Sequence, residues 1–193
     1  ASAQADLERA KELDPSQAGA YATLSHLYAN LPSKSMVDVI LAASQALEKD
    51  AYLSSADAVL NRLAHATYDL GQFPDADKWC REGQRRFPAD YRFVECELLL
   101  MTSKYVPADP ATAPARAWVL ADSVVALTPD PRDQRYERLY TRVLVAGVLA
   151  RAHGRCATAC SRTRASSRAS TTQGRASTAS SRASTTQGRA STA

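Results

Sequence analysis

Apolar residues recur at helical spacing from the start of the chain to Leu149 and then stop. Ala3, Leu7 and Ala10, followed by Pro15, predict a short first helix. Residues 17–30 predict a second, because Ala20, Tyr21, Leu24, Leu27 and Tyr28 fall on one face. The turn Leu31-Pro32-Ser33-Lys34-Ser35 ends it, and a third helix follows from Met36 to Lys49 with Ser35 or Asp38 as cap. A fourth is predicted from Ala56 to Leu70 through Leu60, Leu63, Ala64 and Thr67, and Gly71 suits the left-handed backbone that closes a helix. Asp75 to Phe87 predicts a fifth, on which Ala76 and Gly83 allow close approach to the other helix of its hairpin while Trp79 fills volume. From Tyr91 the run of Phe93, Val94, Leu98, Leu99 and Met101 predicts a sixth. Pro107, Pro110 and Pro114 make residues 106–114 read as an extended loop before a seventh helix from Ala115 to Leu127, packed through Ala117, Ala121 and Val124. After Pro129 and Pro131 a long eighth helix runs from Asp133 to Ala152, with Gly154 as its stop.

These helices repeat in pairs. Pro15, Ala51, Pro88 and Pro129 close successive units at intervals of 36, 37 and 41 residues. Within the frame, Gly71-Gln72-Phe73-Pro74-Asp75-Ala76, Cys80, Gly83 and Pro88 follow the second half of the roughly 34-residue tetratricopeptide unit, and Tyr21, Leu24, Ser25 and Tyr28 follow its first helix. Ala64 and Thr67 depart from the glycine and tyrosine of the pattern, and Gly147 restores the glycine. The chain therefore resembles the tetratricopeptide repeat family over residues 1–155. That resemblance implies an all-α solenoid of stacked antiparallel helix pairs over residues 1–154, incomplete at both ends, as in a piece of a longer protein.

Charge divides the chain at the same place as hydrophobicity. Residues 1–150 hold all 20 acidic side chains and 16 of the 24 Lys and Arg, whereas the rest holds Arg alone. The net charge of +4 is thus the sum of an acidic helical part and a basic tail. Within residues 155–193 the 14-residue stretch 165–178 recurs unchanged at 179–192. A tail of Ser, Thr, Ala and Arg buries too little apolar surface to offset the entropy of ordering, so it reads as disordered, as a recent duplication or as the product of a reading-frame change. No stretch approaches the roughly 20 apolar residues of a bilayer span, and no signal pattern opens the chain, so a cytoplasmic protein is expected. Cys80 and Cys96, among Trp79, Phe93 and Val94, read as free buried thiols.

Catalytic patterns are missing. The seven glycines include neither a dinucleotide loop nor a phosphate loop, no His of His26, His65 and His153 is followed by Glu, and no Ser lies in a nucleophile elbow. His153, Cys156 and Cys160 lack a fourth zinc ligand, so neither metal nor cofactor is expected. The expectation is a noncatalytic scaffold for a protein or peptide partner, or for a segment of its own parent chain. The resemblance implies a concave groove lined by first helices, placing Ala22, His26 and Asn30, then Asn61, His65 and Tyr68, then Arg92, Glu95 and Thr102 inward, with His26 and His65 side by side. The Lys/Asn/Arg clamp for C-terminal carboxylates is not reproduced. Tyr68 to Gly71, Trp79 to Gly83, Arg85 to Pro88 and Arg92 to Cys96 also look like repeat regions attached to bacterial serine/threonine kinases or transcription regulators, implying a regulatory part whose catalytic domain lies elsewhere. A rival reading gives the work to the Arg-bearing tail as an anion or nucleic-acid contact, but no aromatic is interleaved for stacking, so nucleic acid is not the expected partner. Self-association through an uncapped last repeat is a further expectation.

Overall fold

The structure is a computed structural model and describes residues 2–154. Expectations for the basic tail, including Cys156 and Cys160, lie outside the described residues. Within them the fold is all-helical and repeat-like, with no strand. The helices are α1 (Ala3–Leu13), α2 (Ala18–Ala29), α3 (Met36–Lys49), α4 (Ala56–Asp69), α5 (Phe73–Arg86), α6 (Tyr91–Thr102), α7 (Ala113–Leu127) and α8, residues 131–154. From α1 to α7 each helix packs on its neighbour in sequence, and α2, α4 and α6 also touch in succession.

Local chemistry sets the helix ends. Ser35 caps α3 in a reciprocal capping box with Asp38. Gly71 has φ +72°, and after it the Gln72 N–H donates to the Thr67 carbonyl at 2.9 Å while the Gly71 N–H donates to Tyr68 at 2.8 Å. These two bonds close α4 as a Schellman motif, which a residue bearing a Cβ resists. Three helix starts differ from the sequence reading by two residues for one reason. Pro74, Pro114 and Pro131 all sit in the first turn of a helix, where a missing N–H costs nothing, so α5, α7 and α8 begin two residues earlier than predicted.

The core is built of clusters that each join neighbouring helices. Tyr21, Ala43, Ala46, Val59 and Leu63 pack together, as do Leu24, Tyr28, Val39, Ala42 and Ala66. Leu98, Leu99 and Met101 meet Ala117 and Ala121 of α7 and Leu144, Val145 and Val148 of α8. On the far side of α8, Tyr136, Leu139 and Val143 are exposed. The first helix is tied down by polar contacts, the Tyr28 hydroxyl donating to Glu8 and Lys11 lying over the Tyr21 ring.

Ala76 and Gly83 are buried as expected, but Gly83 serves a different contact. A Cβ built on it would collide with the ring of Phe93, so the glycine admits α6 rather than α4. Phe93 is fully buried there and stacks on Phe87, with ring centroids 6.2 Å apart. One turn from each of Gly83 and Phe93, Cys80 and Cys96 are joined as a disulfide with Cα atoms 5.9 Å apart. The free-thiol expectation is corrected: the seam that buries both cysteines also brings their Cα atoms within bridging distance.

Two tests follow from this seam. Gly83→Ala should destabilise the fold by about 1–3 kcal/mol, because the buried Phe93 ring has nowhere to yield, and a melt superimposable on the parent would refute the packing. Reducing the disulfide removes a cross-link over a sequence separation of 16 residues, and should cost about 3 kcal/mol. Denaturant midpoints with and without reductant, alongside a non-reducing peptide map, measure it.

Candidate functional site

The successive contacts of α2, α4 and α6 place their polar side chains in one row. Three links cross it. The Arg62 guanidinium donates to the Ser25 hydroxyl at 2.7 Å and approaches the His26 Nδ1 at 3.5 Å, joining α4 to α2. Between α4 and α6, Arg92 pairs with Asp57 at 2.6 Å, and the Tyr68 and Thr102 hydroxyls share a hydrogen bond of 2.7 Å. Arg92 is further fixed by Asp90, the cap of its own helix, through its backbone N–H, Nε and Nη2. Two carboxylates bonded to one guanidinium hold its proton above the ordinary arginine value.

Arg62 is in the opposite situation. Burial, reinforced by the charge of Arg92, pulls its value down. Its two side-chain partners, a hydroxyl and a ring nitrogen, leave its charge without a carboxylate among the described residues. Beside it a hollow of about 180 Å³ opens between α2 and α4, lined by Thr23, His26, Ser55 and Val59.

At the other end of the row lies a carboxyl pair. Glu95 is 8% exposed and faces Glu137 of α8, and burial, the Glu137 charge and the hydrogen bond to it push Glu95 up to about 8. Burial raises Glu137 too, while the bond donated by Glu95 opposes the rise. The phenol of Tyr140 is pushed up to about 12 by its burial and by Glu95. Two buried acceptors along this row, Asn61 Oδ1 and Glu137 Oε2, have no hydrogen-bond partner among the described residues.

The residues singled out from sequence are thus only partly assembled. His26 is exposed, and its cross-helix neighbour is Arg62 rather than His65. His65 sits a turn further along α4, where burial lowers its value against the pull of Asp69. Counting 36 residues from His26, the interval between Pro15 and Ala51, lands on Arg62, so the repeat period itself carried the signal that was missed. Asn30 is exposed at the end of α2 and spends its amide on the His26 carbonyl. Tyr68 and Arg92 do lie in the row, committed to Thr102 and to Asp57 and Asp90. Glu95 is not an open groove residue: α8 covers it and supplies Glu137. Glu137, 42 residues further along the chain from Glu95, was not among the residues singled out from sequence.

Among the described residues no group of three or more His, Cys, Asp or Glu side chains converges as a metal site, and no helix is long and apolar enough to cross a membrane. Compared with family models, with curated proteins and with solved structures, the chain finds no match in any of the three.

The carboxyl pair gives a pH test. Between the ordinary carboxyl value of 4.5 and about 8, folded Glu95 keeps a proton that the unfolded chain releases. Its contribution is therefore complete below that window and is lost as pH rises through it. The lowered His65 works the other way, adding stability as pH rises through the ordinary histidine value of 6.5. Glu95→Gln should flatten the fall toward pH 8 and leave the variant more stable than the parent there. Denaturant midpoints from pH 5 to 8.5 check this, and an unchanged pH profile would refute the buried pair.

Proposed function

We propose that the chain is a noncatalytic scaffold of the tetratricopeptide type, a solenoid of stacked helix pairs whose α2–α4–α6 row receives a segment of a partner protein. The single observation that carries the reading is Arg62, a half-buried guanidinium at the edge of a hollow, whose partners among the described residues are Ser25 and His26. A buried charge without a counter-charge is costly, and an incoming carboxylate or backbone carbonyl offsets that cost.

The repeat reading draws support from neighbour-on-neighbour packing, from the α2, α4, α6 succession, and from Gly71, Ala76 and Gly83 at the pattern's turn and contact positions. The scaffold reading draws support from the row's extension over three helices, longer than a compact substrate needs. Its cellular compartment is better approached through the Cys80–Cys96 bridge, since structural disulfides persist in oxidising surroundings and are rare in a reducing cytosol.

Arg62→Ala tests the proposal with the fold kept intact, because the residue forms no ion pair among the described residues. In a pull-down from the parent organism's extract, followed by titration of the recovered partner, affinity should fall about tenfold or more, the scale of one charge-assisted hydrogen bond. The circular dichroism spectrum should not change. Equal affinity for parent and variant would reject this row as the binding surface.

A further inference from the structure

On another part of the molecule, between α3 and α5, the structure holds a depression of about 480 Å³. Its floor is apolar, made by Leu47, Leu60 and Trp79, and its rim carries four cations, Lys78, Arg81, Arg85 and Arg86, against one carboxylate, Glu82. The cations follow from helical spacing: positions 78, 81 and 85 fall on one face of α5. Over the eight residues from Lys78 to Arg86 the rim extends about 12 Å, the length of a short peptide segment rather than of a compact group.

The rim cations are only lightly engaged. Arg81 and Arg85 pair with Asp77 and Glu82 on their own helix, and their side chains remain 75% and 70% exposed, so these are weak surface pairs that leave guanidinium donors free for a second acceptor. Lys78 has no carboxylate partner among the described residues; its ammonium lies 4.4 Å from the centroid of the Trp79 ring. Arg86 instead braces the wall by donating to the Ala51 carbonyl at 2.5 Å. Next to Ala51 the ring of Tyr52 stands 91% exposed. Exposed aromatics with arginines around an apolar floor are the composition of a protein-binding patch.

We infer that this α3–α5 depression docks an acidic peptide segment of a partner protein, an apolar side chain seated on Leu47, Leu60 and Trp79 with flanking carboxylates on Lys78, Arg81 and Arg85. Charge complementarity selects this occupant. The remainder of the chain, 155–193, contains seven Arg and no Asp or Glu, so its charge is repelled by the rim. A nucleotide is disfavoured by the backbone: Ala51 follows the last turn of α3, and Arg85 and Arg86 lie in the last turn of α5. Helix C-termini present carbonyl oxygens, not the N–H groups that hold phosphate.

The test is fluorescence anisotropy of the full chain with a labelled synthetic peptide that carries a Leu-Phe pair between runs of Glu. Saturable binding is expected, weakened about tenfold by Lys78→Glu with Arg85→Glu, about tenfold by Gln in place of the peptide's Glu, and about tenfold by Ala in place of its Leu-Phe pair. Arg62→Ala should have no effect, which separates this surface from the α2–α4–α6 row. Lys78→Gln with Arg85→Gln, a milder change at exposed positions, should weaken binding in the same direction and guards against misfolding of the first variant. The inference is overturned by absence of saturation at millimolar peptide, by equal binding of the peptide lacking Leu-Phe, or by loss of binding in Arg62→Ala. It is also overturned if sedimentation shows that the depression is filled by Glu12-Leu13-Asp14 of a second copy, whose Leu13 is 74% exposed, and that the rim substitutions dissolve that assembly.

Discussion

The meeting of Gly83 and Phe93 is the constraint on which the middle of the molecule depends. With no Cβ on Gly83, the Phe93 ring enters the space beside α5 and is wholly buried, and Phe87 stacks against it. The depth of that insertion sets the separation of α5 and α6. One turn away on each helix the same separation places Cys80 and Cys96 where a disulfide can join them. The Gln84 amide then finds the Phe93 carbonyl at 3.0 Å and Glu97 at 3.2 Å across the seam. A larger residue at position 83 would disturb the ring stack, the bridge and these bonds together, since close-packed interiors transmit strain rather than absorb it.

Because α6 is seated by this seam, the polar side chains that it carries are aimed without choice of their own. Arg92, adjacent to Phe93, is brought to Asp57 on α4, and Glu95 is turned toward α8. The two ends of the row consequently differ in charge. Toward α2 the half-buried cation Arg62 meets only neutral partners, whereas toward α8 a buried carboxyl pair shares a proton.

The two faces of the molecule use arginine in unlike ways. On the α2–α4–α6 row Arg62 and Arg92 are withdrawn from solvent and tied to fixed partners, so their geometry is set before any ligand arrives. Around the α3–α5 depression Arg81 and Arg85 are mostly in water and bonded only within their helix. Preorganised donors contribute specificity, while exposed charges contribute long-range attraction that salt weakens.

Helix order, most helix ends and the Gly71 turn could be read directly from the chain, because periodicity and capping are local and their physical causes lie within a few residues. Pro74, Pro114 and Pro131 misplaced three boundaries only because a proline at the start of a helix resembles one that prevents it. Buried Ala76 and Gly83 were equally legible as small positions. What met them was not: that Gly83 faces Phe93, that Cys80 bonds to Cys96, and that α8 buries Glu95 with Glu137 were all decided by the tertiary structure. Each of those outcomes turns on the rotation and separation of one helix against another. A shift of one residue in register moves a side chain about 100° around a helix, so only the packed arrangement determines which groups meet.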